Sequence, residues 1–304
     1  MPLWVWIALG TGFAQTTRNT IARSMTREIS APLNSWARFA FMLPWLFPMA
    51  AFFVMHSGMP QVSPLCLTYA VLAAVSQLTG GVLLIMAFEH SNFAQSVIFY
   101  KLEVAFAAVI GMLFFQESPS LLAWLGILVC SVGVMLVNMG REFGPGGWGQ
   151  AFHLDRGGVL AVLSAIILVL CSFFIKRSLQ ILVQDNSHLQ NGAFESLVLT
   201  CCIITALDAV ILTAYLLMRH PGQFRHVRRL LPRMVMVGMA SLANALLWYW
   251  AISLAFVAYV SAVGQIESVL SVLVGLMIWR EHEVWRQLPG MALLIGGMTL
   301  VVLG

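Results

Sequence analysis

Ten apolar runs of about twenty residues each follow one another along almost the whole chain, and only a lipid bilayer accommodates that pattern. A hydrocarbon core of about 30 Å is crossed by roughly 20 helical residues rising 1.5 Å apiece. The runs fall at about 3–22, 33–55, 65–88, 93–115, 119–138, 158–178, 191–218, 234–254, 257–279 and 285–303. They are continuous rather than alternating apolar with polar, so helices are expected and not the strands of a membrane barrel. Composition agrees. The chain is 60% hydrophobic and 9% charged, with mean hydropathy +0.90, whereas a soluble domain carries about 25% charged residues.

The formal charge of +4 comes from 16 Lys+Arg against 12 Asp+Glu. The basic residues gather at span ends, where membrane topology explains them better than nucleic-acid binding does. Numbered in order, the odd connections hold eleven: Arg23, Arg27, Arg141, Arg156, Arg219, Arg225, Arg228, Arg229, Arg233, Arg280 and Arg286. The even ones hold two, Lys176 and Arg177. The positive-inside rule therefore puts the odd connections in the cytoplasm and both termini outside. No basic segment precedes the first run and no small-residue cleavage pattern follows it, so the first helix is expected to be retained. The five cysteines (Cys66, Cys130, Cys171, Cys201, Cys202) sit in apolar runs without metal-ligand or redox spacing and read as small buried residues.

The chain also repeats itself. A shift of 164 residues lays 87–138 over 251–302 without a gap, matching Ala87/Ala251, Glu103/Glu267, Gly111/Gly275, Glu117/Glu281, Gly126/Gly290 and Gly133/Gly297. Glycines and glutamates are the residues least expected to coincide through shared greasiness alone. A weaker match at offset 154 sets Ile21-Ala22-Arg23-Ser24 on Ile175-Lys176-Arg177-Ser178, first helix on first helix. Residues 1–139 thus form one five-helix repeat and 158–304 a second, joined by the Gly/Pro-rich linker 140–157. An odd number of spans makes the second copy enter the bilayer from the opposite side. The expected fold is an all-α integral membrane protein of ten transmembrane helices in two inverted-topology repeats.

Phe115-Gln116-Glu117…Gly126…Gly133 and Trp279-Arg280-Glu281…Gly290…Gly297 resemble the paired signature of the EamA-type carriers of the drug/metabolite transporter superfamily. The resemblance implies a ten-helix inverted repeat, a central substrate cavity and transport of metabolites across a bacterial inner membrane. Two departures stand out. Many members carry proline in the fourth and ninth helices, near Glu103 and Glu267 here. Characterised members also tend to have cytoplasmic termini, opposite to the charge distribution.

An ionised side chain at mid-bilayer costs about 2.5–3.5 kcal/mol on insertion scales, so it is kept there for a reason. Seven ionisable residues lie within or just inside the spans: Arg18, Arg38, Lys101, Glu103, Glu195, Asp208 and Glu267. Glu103 and Glu267 occupy the same place in their repeats. Each heads a helical stripe of small residues, Glu103-Ala107-Gly111 and Glu267-Ser271-Gly275. Two carboxylates meeting across the pseudo-two-fold axis can bind an amine or share a proton. Lys101 breaks the symmetry, because its repeat mate is Gln265; it is expected either to neutralise an acid on another helix or to bind a substrate carboxylate. Two residues before Glu103 on a helix, it is expected to point about 200° away from it, so the two cannot face the same way. Arg38 either snorkels to the interface or anchors an anion. Asp208 needs a partner, for which Arg18 and Arg38 are candidates, and Glu195 reads as interfacial. Gln77 and Gly80 match Ser241 and Asn244 at the common offset and, with Tyr100, Trp248 and Tyr249, suggest a polar lining. Glu117 and Glu281 are expected to cap or tie helix ends.

No HExxH, GxSxG or Walker motif occurs, and Gly144–Gly147 lacks the Gly-Lys-Ser/Thr of a phosphate loop. The reading is a secondary carrier, exporter or exchanger, of a small metabolite such as an amino acid or organic cation. It has no catalytic residues, metal or cofactor; its partners are the bilayer and a small-molecule substrate, not nucleic acid. The candidate substrate- or proton-binding residues are Glu103, Glu267, Lys101, Gln265, Ser271, Gln77, Asn244 and Arg38. An intramembrane enzyme or a non-transporting scaffold are the alternatives, and the seven scattered histidines argue against the first.

Overall fold

The computed structural model describes all residues except 27, 91–92, 143–154, 187–191 and 280–283. Glu281, Arg280 and most of the linker therefore lie outside the described residues. Among those described there are helices and no strands: α1 (Leu3–Met25), α2 (Ala31–Ala40), α3 (Leu43–Ser57), α4 (Pro64–His90), α5 (Phe93–Tyr100), α6 (Glu103–Phe114) and α7 (Leu121–Glu142). The second half continues with α8 (Arg156–Asp185), α9 (Gly192–Arg219), α10 (Arg225–Leu254), α11 (Val257–Gly264), α12 (Ile266–Trp279) and α13 (Leu288–Leu303).

Nine helical stretches among the described residues are long and apolar enough to cross a bilayer. The first expected span is helical too, but Thr16, Thr17, Arg18, Asn19 and Arg23 make the second half of α1 too polar to match them. Three spans are each made of two helices. α2 and α3 meet at Phe41–Met42, just before Pro44. α5 and α6 are separated at Lys101–Leu102, and α11 and α12 at Gln265. The basic stretch expected as a loop at 219–233 is mostly helical. α10 begins at Arg225 and runs through Pro232, so Arg228, Arg229 and Arg233 sit on helix, and Glu28 accepts a hydrogen bond from the Arg233 guanidinium at 2.9 Å.

Packing divides the chain into two compact units, each drawn from both sequence halves. One holds 1–12, 76–173 and 254–304; the other holds 13–75 and 174–253. The core of the second is an apolar cluster of Met25, Leu33, Ala37, Leu216, Met234 and Val237, beside which the Trp36 indole N–H donates to Thr213 Oγ1 at 2.8 Å.

The first unit is built on α7 against α13, which run antiparallel with almost no side chain between them. A Cβ on Gly126 would come 2.7 Å from the Val301 nitrogen and 2.8 Å from the Gly297 carbonyl. A Cβ on Gly290 would come 2.5 Å from the Val137 nitrogen and 2.9 Å from the Gly133 carbonyl. Adding 164 to 126, 133 and 137 gives 290, 297 and 301, so each contact maps onto the other. Cys130 Sγ donates to the carbonyl of Leu294, its own repeat mate, at 3.6 Å. A local two-fold axis passes there, relating the two repeats in opposite chain senses.

Candidate functional site

The interruptions in the fourth and ninth spans fall at repeat-equivalent positions, and neither is made by proline. The chain tightens instead. The Leu102 N–H turns to Phe99 O at 3.3 Å, and the Gln265 N–H to Ala262 O at 3.3 Å. Both are i to i−3 bonds of the 3₁₀ kind, with ψ of −6° at Leu102 and −5° at Gln265. Each break creates a helix C-terminus and, a residue or two later, a helix N-terminus. Lys101 follows the end of α5, where the dipole favours a cation. Glu103 and Glu267 stand in the first turns of α6 and α12, where it favours an anion.

Gly12 of α1 packs on the second break, where an added Cβ would lie 2.2 Å from Ile266 Cγ2 and 3.3 Å from the Glu267 nitrogen. Nothing in the sequence marks this glycine. Its role shows only when α1 is laid against the break.

Four side chains join at the two breaks. The Lys101 ammonium donates to Gln265 Oε1 at 2.9 Å and forms a hydrogen-bonded ion pair with Glu267 Oε1. The Gln265 amide N–H donates in turn to Glu103 Oε1 at 2.8 Å. Tyr100 also hydrogen-bonds the Glu103 carboxylate, and its ring centroid lies 5.8 Å from the Lys101 nitrogen. Lys101 and Gln265 are buried, at 7% and 3% exposure, so water does little to screen the pair. The two acid contacts are repeat mates of each other: 101 to 267 becomes 265 to 103 on exchanging the copies. The central contact, 101 to 265, maps onto itself and lies on the local axis.

The structure therefore brings together Glu103, Glu267, Lys101 and Gln265. Lys101 and Glu103 both reach this cluster, contrary to the 200° expectation, because that figure assumes the unbroken helix which the Lys101–Leu102 turn removes. Ser271 is half-buried one turn after Glu267 on α12. Gln77, in the same unit, accepts from the Cys171 thiol at 3.8 Å, and Gly80 packs on Leu168 while its carbonyl accepts from Ser164 Oγ at 2.8 Å.

Arg38 and Asn244 belong to the second unit. Arg38 lines a cleft with Asn19, Asn34 and Ser35, and it is the cation whose charge acts on the buried Asp208. Arg18, the other candidate, is turned onto Asn19 Oδ1 at 3.0 Å. Glu195 stands in the first turn of α9 and, at 2% exposure, accepts from Ser57 Oγ at the end of α3 at 2.6 Å. All five cysteines are free and buried.

Glu117 ties helix ends as expected. Its Oε2 accepts the Val257 N–H at 2.8 Å, filling an orphan donor at the start of α11, and Gln116 turns the chain toward it with φ 57°. Glu117→Ala should cost about 1–2 kcal/mol through that lost cap, and Glu117→Gln, which keeps an acceptor, well under half as much. Thermal midpoints in detergent would check both; equal midpoints for the two variants would show the cap to be idle.

Compared with known proteins, residues 2–139 match the model of the EamA-like transporter family. No curated protein matches the sequence. Of 29 solved chains that do match, one crystal structure, whose description names no function, superposes with a TM-score of 0.72. That match covers 99% of this chain and 96% of the other at 16% identity, a likeness of fold alone.

Proposed function

Residues 2–139 place the chain in the EamA-like transporter family of the drug/metabolite transporter superfamily, and on that premise we propose a secondary carrier working by alternating access. Its substrate is a small metabolite, an amino acid or organic cation, moved as an exporter or exchanger at the expense of a proton gradient in a bacterial inner membrane. Residues 1–139 and 158–304 are the two copies whose exchange of conformation opens the site to either side.

The observation that carries this reading is the chemistry of the four-residue cluster. One ammonium pairs directly with the Glu267 carboxylate and reaches that of Glu103 through one neutral amide. With all three ionised, the centre is one positive charge short, and a proton or a protonated amine completes it. Buried charge is tolerated when paired and hydrogen-bonded, and a group whose pairing changes with occupancy can couple two ligands. Ser271 and Gln77 supply uncharged polar groups in the same unit. Within the other unit, Arg38 is a cation suited to a carboxylate and Asn244 an uncharged amide.

The test is flux into proteoliposomes of pooled radiolabelled amino acids and primary amines, with and without a pH gradient. Glu103→Gln and Glu267→Gln should each lower gradient-driven uptake by roughly tenfold or more, the worth of a charged hydrogen bond. Wild-type rates in both variants would remove the cluster from the mechanism while leaving the family intact.

A further inference from the structure

Glu103 and Glu267 are identical and repeat-equivalent, so the difference in charge between the copies at the axis is Lys101 against Gln265, beside one neutral difference, Tyr100 against Gly264. We propose that these two residues are one functional position divided between the copies, and that the placement of its single ammonium sets the carrier's sidedness. The inference rests on the carrier reading above and adds to it which residues make the two directions of transport unequal.

Three observations carry it. The bonds 101–267 and 265–103 interconvert when the copies are exchanged, so each residue does the same geometric work for the opposite copy's acid. The two residues also bond each other across the axis, where either could hold the ammonium and the other the amide. The same axis passes through the Cys130–Leu294 contact and relates the glycine contacts of α7 and α13, so the symmetry is a property of the unit and not of four side chains.

Alternating access in an inverted repeat exchanges the conformations of the two copies. With the same residue at 101 and 265, the inward and outward forms would hold the same charges and differ at this centre only by the neutral Tyr100 hydroxyl on Glu103, which Gly264 cannot match. With lysine in the first copy alone, the exchange carries the ammonium from the conformation of one copy into that of the other. The two forms then pair the acids differently. Groups that face Lys101 are Glu267, Glu103, Gln265 and Tyr100, and of these only the acids can carry a full charge near neutral pH.

The experiment uses the full chain reconstituted in one orientation, with the half-saturating concentration of the pooled amino acids and primary amines measured from each side. Lys101→Gln, which removes the asymmetry without adding a charge, should slow transport by roughly tenfold. It should also bring the two half-saturating values to within about twofold of each other. Gln265→Lys faces two ammonium groups across the axis and should slow transport at least as much. The swap K101Q/Q265K restores one ammonium and one amide. It should recover flux to within about threefold of wild type, with the ratio of the two half-saturating values inverted.

A well-folded swap that keeps the wild-type ratio, or a Lys101→Gln variant that does, would overturn the proposal. If the swap does not fold, K101M/Q265K moves the same charge with an apolar residue at 101 and is read in the same way, while Lys101→Gln still decides the matter alone. Should Glu103→Gln and Glu267→Gln transport like wild type, the carrier-site reading falls. Should they be inactive and the swap ratio unmoved, this inference alone fails.

Discussion

Alanine at Gly133 or Gly290 is expected to leave little folded protein, whereas alanine at Gly296 should be tolerated or slightly stabilising. The three lie on the same two helices, and the difference is what a methyl group would meet. At Gly133 it would sit 2.5 Å from the Leu294 nitrogen, and at Gly290 2.5 Å from the Val137 nitrogen. At Gly296 nothing lies within 4 Å. Where a new Cβ strikes the end of a flexible side chain, a rotamer change can absorb it. Backbone cannot move aside without shifting the helix. Overpacking in a fitted interior costs about 1–3 kcal/mol, and a clash with main chain belongs at or above the top of that range.

Alanine in a helix otherwise gains roughly 0.5–1 kcal/mol over glycine, so the control variant should move the other way. In lipid the penalty has a second source. Helices associate there through close contact and not through the hydrophobic effect, and forcing α7 from α13 forfeits the dispersion that holds them. The repeat adds a sharper expectation: Gly126→Ala and Gly290→Ala are symmetry mates and should cost the same within about 0.5 kcal/mol. Monodispersity on size exclusion and thermal midpoints in detergent read this out. A Gly133→Ala protein as stable as Gly296→Ala would show that the two helices are not in register as described.

That glycine seam also marks how far the sequence could be read. Glycines at 126, 133, 290 and 297 were visible as a repeat, because residue identity survives when two stretches share nothing else but greasiness. The spans were visible for a cruder reason: bilayer thickness fixes their length. The breaks at Lys101–Leu102 and Gln265 were not. They come from two local 3₁₀ bonds rather than from proline, and a continuous apolar run does not disclose where its hydrogen bonds shorten. That omission propagated, since the angular argument separating Lys101 from Glu103 assumed an unbroken helix. Periodicity could state that Lys101 wants an acid on another helix, but choosing Glu267 needed the register between spans. Asp208 went the same way, with Arg38 and Arg18 equal in sequence and separated only by which helix faces which. The span-end position of Glu195 was legible, but its Ser57 partner was not, because distance from a span end says nothing about what packs over a side chain. The compact units also cut through α1, α4, α8 and α10, where no change of composition marks the chain.

Lys101→Met should be the most damaging single change at the polar centre, and adding Glu267→Gln should repair the fold but not the flux. Lys101 is 7% exposed and the Glu267 side chain 12%, so neither charge can turn to water when the other is lost. Removing one member of a buried pair costs about 3–5 kcal/mol, nearly all of it the desolvation of the survivor. Removing both takes away attraction and penalty together, which measured cases place near neutral. The double variant should therefore recover most of that loss, stopping short of wild type because Glu103 keeps its Gln265 donor but no cation, and the recovery is a coupling energy between positions 166 residues apart in sequence.

Transport separates from stability at this point. The repaired centre holds Glu103 with Gln265 and no ammonium, so it has lost the paired acid that the proposed cycle needs, and uptake should stay at least about tenfold below wild type. A surface ion pair gives a clear contrast. Arg233 with Glu28 is open to solvent, and breaking it should cost under about 1 kcal/mol and be sensitive to salt. If Lys101→Met melted like the Arg233 variant, the Lys101–Glu267 contact would be worth no more than an exposed pair. The two acids would then have to be solvated by a water-filled cavity at least as well as by the lysine.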